Sequence, residues 1–174
     1  MNQEDMNKLI EASIEDDFAY TLFMTAKSTG RRISEYYNVK VKDIDFDNNI
    51  MITLVLKRRK KVEKEAILSD EVKRLLKQYI AKNGLKLDDY VFRKYSIRHI
   101  QNLVNKYAIK GGITYRVMFH NFRHYFITEL VRKGWHYSKI AKLTGHSSIG
   151  TLVSYDHSIA SDIKDDALEA LKSM

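Results

Sequence analysis

Residues 50–57 (IMITLVLK) form a run of eight, dense in β-branched and apolar side chains, that suits an extended strand better than a helix. A lone strand leaves its backbone donors and acceptors unpaired, so it needs a neighbour. The nearest candidate is residues 64–68, and with RRKKVE (58–63) as the tip the pair reads as a β-hairpin. Around it the apolar residues recur at helical spacing. Residues 3 to about 28 read as two helices broken near residues 15–17, and Gly30 stands where a helix end needs left-handed backbone. A short helix follows over 32–38. Ser69 offers an N-cap for a helix reaching residue 82, stopped by Asn83 and Gly84. Residues 96–108, 120–133, 138–143 and 149–157 also read as helices, with Gly134 and Gly145 closing two of them. The tail, 160–172, is amphipathic, with Ile163, Ala167, Leu168 and Leu171 on one side. The expected fold class is α+β, mostly helical, carrying one small antiparallel sheet.

A chain of 174 residues suits one domain with a sizeable core, here about 3–160, followed by a helical tail over 161–174. Hydrophobic residues at 44% and charged residues at 30% exclude the disordered and membrane-embedded classes by composition. The longest apolar run, 50–56, falls well short of the roughly 20 residues that span a bilayer. The start, MNQEDMNKLI, lacks the basic-then-apolar pattern of a secretory signal, so a cytoplasmic location is expected. With no cysteine, disulfides, thiol nucleophiles and thiolate zinc sites are excluded.

The net charge of +8 is unevenly placed. Residues 1–17 carry six acids and one lysine, whereas 18–160 carry 27 bases against 12 acids. Such a body suits a polyanion partner, because each neutralised phosphate releases counterions. The densest patch is the hairpin tip, where Lys57, Arg58, Arg59, Lys60, Lys61 and Lys64 are six bases in eight residues. It reads as a solvated turn or as a projection able to enter a DNA groove.

Three clusters break the pattern of core and solvated surface. On the helix from His120, residues Phe122, Phe126, Ile127, Leu130 and Val131 define an apolar arc, and Arg123 falls inside it. A buried guanidinium needs a carboxylate partner or a cleft that receives an anion. His120, at the edge of the arc, suits either a capping role or proton transfer. Upstream, TGRRISE (29–35) puts Arg32 at a helix start, where backbone N–H groups favour anions; Arg32 and Glu35 also read as a surface ion pair worth under ~1 kcal/mol. Downstream, Gly145-His146-Ser147-Ser148 precedes Tyr155 by a fixed interval, although eleven tyrosines make any single one weak by itself.

Together these clusters resemble the catalytic domain of the tyrosine recombinases, the phage-type integrases. TGRRISE resembles the T-G-x-R-x-S-E box, HNFRHYF the H-x-L-R-H-x-F box, and GHSSIGTLVSY the G-H-S-S-I-x-T-T-x-x-Y box, in the family's order over about 3–160. Phe122 and Leu152 stand where leucine and threonine are usual. The hairpin pattern G-K-G-x-K is replaced by LKRRKK.

The resemblance implies that Arg32 and Arg123 hold the scissile phosphate, with His120 and His146 beside them and Tyr155 as nucleophile. Lys57, with Lys60 in reserve, is implied as the hairpin lysine that protonates the leaving oxygen. It implies metal-free and cofactor-free cleavage of double-stranded DNA through a 3′-phosphotyrosyl link, by a homo-tetramer on DNA, with no membrane and no small-molecule substrate. Family members also carry an N-terminal clamping domain, so a fragment, or a chain acting with another protein, is expected. Two rivals stand beside this reading. Residues 138–155 also read as a helix-turn-helix of a non-catalytic DNA-binding regulator, and a type IB topoisomerase-like enzyme would share the chemistry.

Overall fold

The structure, a computed structural model, describes the backbone of residues 1–57 and 60–145, and their side chains except those of 55–61. The expected helices at 149–157 and 160–172, with His146 and Tyr155, lie outside the described residues. The chain divides into two compact units, 1–126 and 127–174.

The first unit opens with α1 (Gln3–Ala12) and α2 (Asp17–Thr29), capped by the side chains of Asn2 and Asp16. Then come α3 (Ile33–Tyr37), β1 (Ile44–Asp45), β2 (Ile50–Lys57) and β3 (Lys60–Ile67). Two helices follow, α4 (Asp70–Lys82) and α5 (Ile97–Lys110), each started by a serine, Ser69 or Ser96, whose side chain accepts from a first-turn N–H. α6 (His120–Arg132) begins in this unit. The expected fold class holds: helices predominate around a three-stranded antiparallel sheet in the order β1-β2-β3.

The sheet departs from the expected hairpin in two ways. β3 begins at Lys60, so the connection is only Arg58-Arg59, shorter than a six-residue tip. Charge masks the strand in KKVEKEAI, but the burial alternates: Glu63, Glu65 and Ile67 are exposed while Val62, Lys64 and Ala66 turn inward, ending in a 1% exposed Ala66. The added strand β1 is two residues long, too short to leave a pattern. It is joined to β2 through a turn in which Asp45 accepts from the N–H groups of Asp47 and Asn48.

Aromatic rings organise the core. Phe92 meets Tyr36 at 6.1 Å, Tyr36 meets Phe119 at 5.8 Å, Phe119 meets Phe122 at 5.3 Å, and Phe122 meets Phe23 at 5.2 Å between centroids. This chain of contacts joins α3 and the start of α6 to α2, and such pairs add about 0.5–1.5 kcal/mol each beyond area burial.

In the second unit, Ile127 and Ile140 are fully buried together, with Leu130, Val131, Tyr137 and Ala141 against them. α7 (Tyr137–Thr144) ends at Gly145, which has φ +71°. Among the described residues no helix is long and apolar enough to cross a membrane.

Gly30 ends α2 with φ +60°, and a Cβ there would lie 2.8 Å from Phe126 Cγ. Gly30→Ala is therefore expected to destabilise the protein by about 2–4 kcal/mol, from left-handed strain plus overpacking. Chemical denaturation measures this, and a change within a few tenths of a kcal/mol would contradict the reading.

Candidate active site

The turn between α2 and α3 is built from buried hydrogen bonds. Thr29 Oγ1 donates to the Thr25 carbonyl at 2.6 Å and lies 2.6 Å from the Tyr36 hydroxyl. The Gly30 N–H donates to Ala26, and the Arg31 N–H donates to the same Tyr36 hydroxyl at 2.9 Å. Tyr36 is fully buried, and burial pushes its ionisation far above the ordinary tyrosine range, so its O–H stays intact as a structural group. The next residue, Arg32, is the N-cap of α3.

α6 approaches this turn through Phe119, just before its start, whose ring meets Tyr36 on one side and Phe122 on the other. Arg123, one residue on and 1% exposed, donates from Nη1 to the Gly30 carbonyl at 2.9 Å. That bond brings the second arginine to within two residues of Arg32 along the chain. The acceptor of this bond is a neutral backbone carbonyl.

Arg32 keeps 42% of its side chain exposed and donates from Nη1 to Glu35 Oε1 at 3.1 Å. Sequence spacing suggested a surface ion pair, but Glu35 is only 3% exposed. The buried carboxylate anchors Arg32, whose side chain stays partly exposed. A buried acceptor loses more when its partner goes than an exposed one does, so this pair outweighs an ordinary surface bridge.

His120 feels both arginines. Partial burial of its ring, then the charges of Arg123 and Arg32, hold its pKa below the ordinary 6.5. His124 lies one turn along α6, its ring 4.5 Å from that of His120 and edge-on to it. Its pKa is also lowered, first by burial and then by His120. Both imidazoles are thereby kept neutral near pH 7, the form that can accept a proton.

The hairpin register pairs Lys57 with Lys60 at the end of the β2–β3 ladder. Both lysine candidates therefore fall at one register position of the hairpin. Their side chains, like Arg58, Arg59, His146 and Tyr155, lie outside the described residues.

Thus the structure brings Arg32, His120 and Arg123 together. It adds groups that spacing alone did not single out: Glu35 as a buried anchor, the Gly30 carbonyl as the acceptor of Arg123, and His124 beside His120. Two of these left a trace in the sequence: Glu35 in its three-residue interval from Arg32, and His124 in its four-residue interval from His120. Among the described residues no three His, Asp or Glu side chains converge as a metal-binding group. Chemically, the arrangement offers two guanidinium groups and a neutral imidazole, which suits an anionic centre that gains charge during reaction.

Residues 1–161 match the phage integrase family. A tyrosine recombinase of Pseudothermotoga lettingae is 29% identical over 170 residues, 96% of this chain and 58% of that protein. Tyrosine recombinase XerA of Saccharolobus solfataricus is 34% identical over 146 residues, 83% of this chain and 47% of that one. The chain spans about half the length of the curated relatives it matches. Among solved structures, a XerA recombinase gives a TM-score of 0.79 at 26% identity, covering 89% of this chain and 57% of the other. The XerH recombinase in its post-cleavage complex with palindromic difH substrate gives 0.77 at 21% identity over 96% of this chain and 52% of the other, a likeness of fold. With the three sequence boxes in order and the family match running from residue 1 to residue 161, the chain belongs to the phage integrase family, the tyrosine recombinases.

Proposed function

We propose that this chain is the catalytic domain of a site-specific DNA recombinase, cleaving and rejoining strands through a 3′-phosphotyrosyl intermediate. The observation that carries the reading is the Arg123 bond to the Gly30 carbonyl, which seats two guanidinium groups and a neutral His120 around one turn. A helix-turn-helix regulator would have no use for that grouping.

In this reading a DNA phosphodiester enters beside the turn. Arg32 and Arg123 donate to its non-bridging oxygens, and planar, permanently charged guanidinium groups suit the task. The Tyr155 oxygen bonds to phosphorus as the P–O5′ bond breaks. His120 accepts the tyrosine proton, His146 donates a hydrogen bond to the phosphate, and Lys57, or Lys60 opposite it, gives a proton to the departing 5′-oxygen. Attack by a 5′-hydroxyl from another strand reverses these steps, so joining needs no external energy source. The partner is double-stranded DNA, which the net positive body of the chain favours, and the assembly is a homo-tetramer.

The test uses a pool of nicked duplexes of randomised sequence, stopped with detergent. The unsubstituted protein is expected to yield a denaturation-resistant adduct. Mass spectrometry of the adduct places DNA on Tyr155, and sequencing of the trapped strand maps the cleavage site. Tyr155→Phe is expected to lose the adduct and still retard DNA. Equal binding with no adduct from either protein would favour the regulator.

A second expectation concerns pH. His120 must be neutral to accept a proton, and its depressed pKa keeps it so below pH 6.5. In the free protein its NMR titration is expected at a midpoint under 6.5, and Arg123→Met should move that midpoint upward by removing a neighbouring positive charge. The acidic limb of kcat/KM should fall through the same midpoint. A midpoint at or above the ordinary value would contradict the geometry.

A further inference from the structure

Arg31 is 1% exposed, among the largest buried side chains, and the reaction above makes no use of it. Burying a guanidinium is harder than burying an aliphatic chain of similar length, so core filling alone does not account for an arginine here. Its Nη2 donates to the backbone carbonyl of Glu65, 34 residues away in sequence. Its Nε and Nη1 are buried and meet no hydrogen-bond partner among the described residues, and neither does Oε2 of Glu35. That carboxylate attracts Arg31 electrostatically while bonding to Arg32. Burial lowers the pKa of Arg31, and Glu35 opposes that shift.

The Glu65 bond has mechanical meaning because of where β3 lies. β3 is an edge strand, so alternate carbonyls have no ladder partner and the strand is held from one side. Thr53 Oγ1 fastens β2 to the Lys64 carbonyl at 3.0 Å, one residue from the point that Arg31 grips. At its other end Arg31 belongs to a turn held by two hydrogen bonds: its own N–H is held by Tyr36, and the carbonyl before it by Arg123.

We propose that Arg31 is a positioning residue: it ties the root of the β2–β3 hairpin to the turn that presents Arg32, and so fixes the hairpin's bases, Lys57 and Lys60 among them, relative to the arginine pair. The inference rests on the DNA-cleavage reading. It extends that reading by giving a role to a residue that touches no substrate.

Leaving-group chemistry separates this role from a general loss of structure. With an ordinary substrate the departing 5′-oxygen takes a proton from the hairpin. When sulfur replaces that bridging oxygen, the P–S bond breaks and a thiolate leaves without a proton, since thiols ionise at a pKa of ~8.5. A displaced hairpin acid therefore slows the oxygen substrate and spares the sulfur one.

The experiment measures single-turnover adduct formation on both substrates at the mapped cleavage site, for the unsubstituted protein, Arg31→Met, Arg31→Lys and Arg32→Gln. The sulfur-to-oxygen rate ratio does not depend on the fraction of protein folded. Arg31→Met is expected to raise it by about 10-fold or more, because an ångström of misplacement costs on the order of 10² in rate. Arg31→Lys keeps one donor for the Glu65 carbonyl and should lie between, while Arg32→Gln should slow both substrates and leave the ratio at the unsubstituted value. An unchanged ratio in Arg31→Met overturns the proposal, whatever its absolute rates. So does failure of both Arg31 variants to unfold cooperatively, which would make Arg31 a core residue of the whole fold. If the unsubstituted protein forms no adduct with either substrate, the cleavage reading itself fails, a result distinct from the other two.

Discussion

A single hydrogen bond, from Arg123 Nη1 to the Gly30 carbonyl, sets most of what the first unit can do. It requires a carbonyl aimed into the core at the end of a helix, and that requires left-handed backbone at residue 30. Left-handed geometry and the nearby Phe126 ring together leave room only for glycine. The same bond requires α6 to approach closely, which the ring contacts from Tyr36 through Phe119 to Phe122 secure. Packing here serves a polar contact, and the polar contact places a charge.

The electrostatics follow from that placement. Three arginines, 31, 32 and 123, gather around residues 29–35, with Glu35 as the buried carboxylate among them. Positive charge held in fixed, partly desolvated positions costs stability in the resting protein and lowers the proton affinity of His120. Both effects are what the proposed phosphodiester chemistry would use. The cost of gathering the charges is met during folding, so little reorganisation is left for the transition state. A neutral imidazole can then take a proton from a phenol.

How much of this could be read from residue order depends on the range over which each signal acts. Gly30 and Ser69 were legible because capping is decided within four residues of the chain. Arg123 stood out because a cation inside an apolar arc contradicts its surroundings, and the contradiction is visible at helical spacing. β3 was only half legible: its alternation was hidden by lysines and glutamates on the strand, so apolar density located its root and missed its start. Glu35 misled, because a three-residue interval to Arg32 looks the same on a surface and in a core. Arg31 carried no local sign at all. Its partner is a backbone carbonyl 34 residues on, and a backbone acceptor has no identity in the sequence.

That contrast bears on why two adjacent arginines have such different surroundings. Arg32 keeps a solvent-facing side and can meet an incoming anion, whereas Arg31, one position earlier, is sealed inside with an edge strand as its partner. In the turn that starts α3, consecutive side chains point in different directions, so one box can address both the surface and the sheet behind it. The sequence spacing of the box therefore serves two ends. On the proposed reading it sets where Arg32 would meet a phosphate, and through Arg31 where the hairpin would stand beside it.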